Sequence, residues 1–410
     1  MPNSNILLGL GGICLPQLSF FHDMCDYGDI IRKWNRNMRE IIMMRNVKIS
    51  VNQFAVIVMI FTIGTTILVI PSGLAAAAKQ DAWIGALLGV SLNIGMVCLY
   101  NKVGSCFPNM TLIAYNEQLF GKWLGKLFSF GFIFFSFVGA TTVLFYMGNF
   151  VTTQVMPDTP IQAINVLFAL VVVMGVRLGL ETIARAAEIF FPWIIILFIV
   201  LVACLLPEIE VEKLQPVYSS GGGGLVRAAL EVAGTSSLPF IVLFMIYPVH
   251  VIQIRKAKKA YLLGTLFGGL CFVVITFLCV AVLGTKLTER LMYPSYVLAK
   301  EINIGNFFER VEILIAGIWF LTVFFKLTFY FYSFVIGLAQ LLRMDDYRPL
   351  TMPLGMILVV YSLVVYPNVA YMSKFDSESF IPYALTAGGL YPLLILITAR
   401  IRKKTGQAKA

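Results

Sequence analysis

Apolar residues recur along this chain in runs long enough to cross a bilayer as helices, about 17 to 25 residues each. Ten such runs are found: 51–76, 82–103, 127–151, 161–177, 186–206, 225–249, 260–284, 311–339, 351–367 and 380–399. The pattern predicts an all-α integral membrane protein with about ten transmembrane helices. Basic residues in short loops stay on the cytoplasmic side and so give the orientation. Arg45 and Lys48 precede the first run, and Lys102, Lys122 and Lys126 follow the second. Arg177 and Arg185 follow the fourth, and Arg255, Lys256, Lys258 and Lys259 follow the sixth. Arg343 and Arg348 follow the eighth, and Arg400, Arg402, Lys403 and Lys404 the tenth. Every second loop is basic, which predicts both termini to be cytoplasmic. The loop after the seventh run is an exception, with Lys286, Arg290, Lys300 and Arg310 spread along it.

The membrane domain is thus expected over 45–404, with a cytoplasmic tail at 405–410. Residues 1–44 fit neither plan. They carry a weakly apolar start, a mixed-charge stretch and no basic region ahead of an apolar core, so they do not read as a secretory signal. They read either as a cytoplasmic extension or as residues upstream of a true start near Met43 or Met44.

Two of the ten runs are interrupted. In the first, "FTIGTTILVIP" places Thr62, Gly64, Thr65 and Thr66 at mid-span, and in the sixth, "EVAGTSSLPFIVLFMIYP" places Gly234, Thr235, Ser236, Ser237 and Pro239 there, ahead of Phe240. Pro239 has no amide hydrogen, so the carbonyl of Thr235 loses its helical partner. Interruptions at membrane depth survive only where the freed groups face protein or a polar cavity. Broken helices at positions one and six of two five-span halves point to an inverted-repeat transporter fold. The bland alternative is that small residues here only let helices pack closely. On the transporter reading, the freed amides and carbonyls would hold a small zwitterion, an amino acid, near mid-membrane. The candidate ligand-binding set is then Thr62, Gly64, Thr65, Thr66, Ser236, Ser237, Leu238, Pro239 and Phe240.

Composition agrees with a membrane protein, at 59% hydrophobic and 13% charged residues. The net charge of +10 builds no single basic face, so nucleic acid is not an expected partner. Seven scattered cysteines without a CxxC pair predict neither disulfides nor a metal site, and two histidines offer little for catalysis. No cofactor and no enzymatic activity are expected.

Three stretches, "FTIGTTILVIPSGLAAAAKQDAWI" (61–84), "GLETIARAAEIFFP" (179–192) and "RVEILIAGIWFLTVFFK" (310–326), together resemble the spore germination receptor B-subunit family, a branch of the amino acid/polyamine/organocation transporter superfamily. The resemblance implies a LeuT-type core in the inner membrane of the bacterial spore. It also implies partnership with a membrane A subunit and a C-subunit lipoprotein, with this chain recognising the nutrient. In one departure, Ile241 and Val242 stand where relatives often have Gly-Glu, so a carboxylate usual there is missing. The expected function is nutrient-germinant sensing. The alternative is a proton-coupled amino acid permease in which Lys326 replaces a coupling cation.

Charged residues inside the spans are costly and become functional candidates. Arg185 and Glu188, three residues apart at the fifth span's entry, read as a local surface pair or, since the family motif holds both, as a gate or A-subunit contact. Arg227 and Glu231 read as a pair one turn apart, with Glu231 able to face the outer vestibule. Lys326 lies near the middle of the eighth span. On a helical wheel it shares a stripe with Glu312, Trp319, Thr322, Tyr330 and Ser333, which is expected to face the bundle interior. Glu312 lies about 21 Å away along the axis, too far to neutralise it. The partner expected for Lys326 is a freed first-span carbonyl, another buried acid or a ligand carboxylate; the bland reading is a structural lysine on backbone carbonyls.

Overall fold

The computed structural model describes residues 47–301 and 311–404. The expectations for 1–44 and 405–410, together with Arg45 and Arg310, lie outside the described residues. Among the described residues, eight helical stretches of 18 or more residues are apolar enough to cross a membrane, and two apolar helices are shorter. The first of the short ones, α1 (Val51–Ile63), opens with a capping box in which Ser50 Oγ accepts from the Gln53 amide and Gln53 Oε1 from the Ser50 amide. The helix stops at Gly64 and Thr65 and resumes as α2 (Thr66–Ala78), so the first apolar run is two helices. Pro71 inside α2 removes the amide that Ile67 O would accept from, and the hydroxyl of Ser295 takes that place at 2.6 Å.

After a turn at Lys79–Asp81 come α3 (Ala82–Cys106) and α4 (Leu112–Phe150), the latter bent at Gly121, whose φ of 78° only glycine adopts readily. Next are α5 (Ile161–Leu178) and α6 (Leu180–Leu205), then α7 (Gly221–Thr235). The glycine run Gly221–Gly224 forms the first turn of α7. A side chain at Gly224 would put its Cβ 2.5 Å from the Ala77 carbonyl, so this glycine is needed for the close approach of α7 to α2. The buried carboxylate of Asp81 accepts from the amides of Tyr218 and Ser220 and from the Ser220 hydroxyl, clamping the entry to α7 onto the end of the first span.

Past the break at Ser236 and Ser237, the sixth span continues as a 3-10 helix, Leu238–Met245. The chain then runs through α8 (Ile254–Leu278), the short α9 (Thr285–Arg290) and α10 (Pro294–Lys300), α11 (Glu312–Leu341), α12 (Arg348–Val364) and a closing helical stretch, Val369–Arg402. Outside the spans, Ile49 and Val251 form a parallel bridge joining the start of the first span to the end of the sixth. Beside that bridge, burial pushes the His250 imidazole below its usual pKa, and its Nδ1 lies 2.9 Å from the Val47 carbonyl.

The packing repeats itself. Among the most extensive helix contacts are α1 with α8 and α3 with α7. Exchanging span one with six and span two with seven turns one of these contacts into the other, as an inverted repeat requires. Both use the same device. Gly85 and Gly89 on α3 meet Ala228 and Val232 of α7, while Gly264 and Gly268 on α8 meet the Ala55 carbonyl and Thr62 of α1. A Cβ at any of the four would come within 2.5 to 2.8 Å of these atoms. Two small-xxx-small seams thus hold each broken span against the helix that follows the other broken span.

Candidate functional site

Lys326 is buried, 1% exposed, and sits where the two broken spans meet. Its Nζ donates to Thr65 Oγ1 and to the Thr235 carbonyl, each at 2.9 Å, and lies 5.2 Å from the centre of the Phe61 ring. The Thr235 carbonyl is the one stripped of its amide by Pro239. The expected partner in the first span was a carbonyl; the structure supplies a threonine hydroxyl there and the freed carbonyl from the sixth span. Gly64 makes the approach possible, since a Cβ on it would lie 2.5 Å from Lys326 Cδ and 3.0 Å from the Phe61 carbonyl.

The α11 stripe faces inward as its periodicity predicts: Trp319, Thr322, Lys326, Tyr330 and Ser333 are buried. Glu312 is half-buried at the helix start. The Tyr330 ring packs on the bare face of Gly139 and 5.6 Å from the Phe61 ring centre. Ser333 donates to the Val242 carbonyl at 2.8 Å, and Thr322 bonds back to the Ile318 carbonyl at 2.9 Å.

A cavity of about 640 Å³ opens beside this junction. Thr65, Ser72 and Gly73 from the first span, Glu231 and Thr235 from the sixth, and Lys326 and Tyr330 from α11 form much of its wall. Tyr146 of α4 and Asp376 of the closing stretch complete it, with the Tyr146 hydroxyl donating to the Asp376 carboxylate.

Of the nine residues assigned to ligand binding from sequence, Thr65 reaches this wall; the other eight are used elsewhere. Thr62 donates to the Val58 carbonyl within α1, and Thr66, at the start of α2, donates back across the break to the Thr62 and Ile63 carbonyls at the end of α1. Ser236 accepts from Asn93 at 3.2 Å, and the Leu238 carbonyl from Tyr100 at 3.1 Å. Ser237 reaches the Ala233 carbonyl at 3.5 Å, and Phe240 is buried against Phe61. Gly64 and Pro239 shape the two breaks from behind the wall. Arg185 does not pair with Glu188: its partner is Glu181, four residues earlier, at 2.7 Å, and both side chains are more than half exposed. Glu188 instead accepts from Gln53, linking α6 to the first turn of α1. Arg227 and Glu231 form no ion pair among the described residues; Glu231 turns to Gly73 and the cavity while Arg227 is exposed.

Asp376, Tyr146 and Gly73 escaped the sequence reading. Asp376 lies in "SKFDSESF", whose polarity reads as a loop before the tenth run, yet the chain is helical there, with wide turns at Phe375–Phe380. Tyr146 and Gly73 are unremarkable within apolar helices, and no local signal marks them.

The family model described as "Spore germination protein" matches residues 48–369. Spore germination protein KB of Bacillus subtilis (strain 168) is 28% identical over 374 residues, covering 88% of this chain and 97% of that protein. Spore germination protein YndE of the same organism is 26% identical over 368 residues, covering 87% and 98%. Among solved structures, Mhp1, a nucleobase-cation-symport-1 family transporter in a closed conformation with bromovinylhydantoin bound, superposes with a TM-score of 0.64 over 85% of this chain and 77% of its own, at 12% identity. At that identity the likeness is one of fold, and the fold is the LeuT-type arrangement of two five-span halves with spans one and six broken. The chain is an integral membrane protein and belongs to the spore germination protein family.

Proposed function

We propose that this chain is the nutrient-sensing membrane subunit of a spore germination receptor, which binds a small amino-acid-like ligand near mid-membrane and passes a conformational change to partner subunits. The observation that carries this reading is the Lys326 bridge on the wall of the cavity, where one side chain is bonded to both broken spans. A ligand entering beside it competes for the same ammonium and so acts on spans one and six together. On this reading the partners are a membrane A subunit and a C-subunit lipoprotein, and the protein lies in the inner membrane of the spore with both termini on the core side. The relatives' names support a role in germination.

A second reading, a proton-coupled amino acid permease, is favoured by the same lysine, whose ammonium bonds to a hydroxyl and a carbonyl and to no carboxylate among the described residues. Uptake of labelled amino acids into proteoliposomes separates the two: sustained accumulation supports the permease.

The test of the sensing reading is a strain in which this chain serves the only germination receptor, screened against single amino acids, sugars and nucleosides. Lys326→Ala is expected to abolish the response, a shift of at least a hundredfold in nutrient concentration, with the subunit still present in the membrane. Lys326→Arg is expected to rescue poorly, because the guanidinium is bulkier than the ammonium that fits beside Gly64 and effectively keeps its proton. A normal dose response from Lys326→Ala would sink the reading.

A further inference from the structure

Resting on that reading of the cavity, we propose that its ligand carries a net positive charge and that an ammonium group of the ligand sits between Glu231 and Asp376. Glu231 leaves α7 toward α2, and its carboxylate lies directly over Gly73, where any Cβ would collide with it. The glycine therefore makes room for an acid on the cavity wall. No hydrogen bond or ion pair ties this carboxylate to another described residue; Arg227, one turn earlier, is exposed, acts on it only at longer range and does not line the cavity. Asp376, contributed by the closing stretch, lines the same cavity within Coulombic reach of Glu231. It is oriented by the Tyr146 hydroxyl, with the Tyr366 hydroxyl as a second donor, and keeps further acceptor positions open.

Two carboxylates facing one low-dielectric space repel each other and call for a cation between them. Among the described residues none supplies it. Lys326 is spent on Thr65 and Thr235, and Glu289 and Arg290 of α9, also on the wall, offset each other in formal charge. Counting Glu231 and Asp376 against Lys326, the described wall carries one negative formal charge in excess. A simple zwitterion brings no net charge to compensate it. A ligand with one ammonium more than it has carboxylates does, as a basic amino acid or a diamine would. Tyr330, Val143 and Ile70 on the same wall suit an aliphatic stem.

The experiment is binding to the purified full chain in lipid nanodiscs by isothermal titration, using L-lysine, cadaverine, Nε-acetyl-L-lysine and L-leucine as probes. L-lysine or cadaverine is expected to bind at least tenfold more tightly than Nε-acetyl-L-lysine, which keeps the aliphatic stem and loses the net positive charge. Glu231→Gln is expected to erase that preference while eluting as the wild type does. Gly73→Ala reads the same contact from the other helix, by pushing the carboxylate aside, should Glu231→Gln fail to insert. Equal affinity for charged and acetylated probes, a preference unchanged in both variants, or no binding by either cationic probe overturns the proposal. Spores that respond to nutrients through a chain without charge preference overturn this inference alone; a clear preference in a chain whose spores ignore every nutrient overturns the receptor reading instead.

Discussion

The two broken spans solve one problem in opposite ways. In the first, the interruption is two residues long, α-helix resumes at once, and the carbonyls left at the end of α1 are served locally: Thr66 donates to both Thr62 O and Ile63 O. In the sixth, Pro239 prevents an early return to α-helix, the chain continues as 3-10 helix, and the carbonyls are served from elsewhere. Lys326 and Ser333 of α11 reach Thr235 O and Val242 O, and Tyr100 of α3 reaches Leu238 O. A break that caps itself keeps its shape when neighbours move. One held by side chains on other helices changes shape with them, which makes the sixth span the better transmitter and the first the better reference. The Asp81 clamp fits this division, because it fixes only the entry to α7 and leaves the part beyond the break to α11 and α3.

The sharpest way to break that comparison, after loss of Lys326 itself, is Ser333→Ala. Ser333 is fully buried and its hydroxyl is a second donor to Val242 O beside the 3-10 amide, so alanine removes one buried hydrogen bond at a cost of about 1 to 1.5 kcal/mol. If the sixth span transmits, the nutrient dose response should move by roughly five- to tenfold at equal membrane abundance. An unmoved curve would mean that the 3-10 segment is passive.

How far the sequence could be read follows the range of the physics involved. Span positions and the sites of the two breaks are legible, because hydropathy is summed over a window and Gly and Pro act on their own backbone. The inward face of α11 is legible from helical periodicity. So is half of the Lys326 contact, since Pro239 identifies Thr235 O as an acceptor without a donor and burial identifies Lys326 as a donor without an acceptor. Joining them needs the distance between α7 and α11, which no local pattern contains. The hydroxyls are hard to place for a different reason. Thr and Ser in a helix can bond to the carbonyl three or four residues back, and that is where Thr62 and Thr66 point. Asp376 was hidden because the wide turns around it keep a polar stretch helical beside the cavity.

Thr66→Val is expected to matter less than Ser333→Ala. It removes the donor from two carbonyls, but both stand at the end of α1 beside the flexible Gly64–Thr65 turn, where small backbone rotations can find other partners. A threefold to fivefold shift in dose response is expected, about 0.6 to 1 kcal/mol. A shift larger than that of Ser333→Ala would reverse the assignment of reference and transmitter.

Thr62→Val should do least of all. Its hydroxyl bonds to Val58 O, inside α1, where the carbonyl also has a regular helical amide as partner, so no acceptor is stranded when the hydroxyl goes. Valine keeps the branched shape that packs over Gly268, where a Cβ would lie 2.8 Å from Thr62 Cβ, so the seam between α1 and α8 stays closed. The expected change is within about 0.5 kcal/mol, less than a threefold shift in response and no change in melting temperature beyond a degree or two. Loss of response in Thr62→Val with the chain intact would return this hydroxyl to the ligand-binding set, and would mean that the first break opens toward the cavity in a state where Thr62 no longer bonds to Val58. Measured beside Thr66→Val on the same spores, it tells whether the first span is a fixed wall or a second moving part.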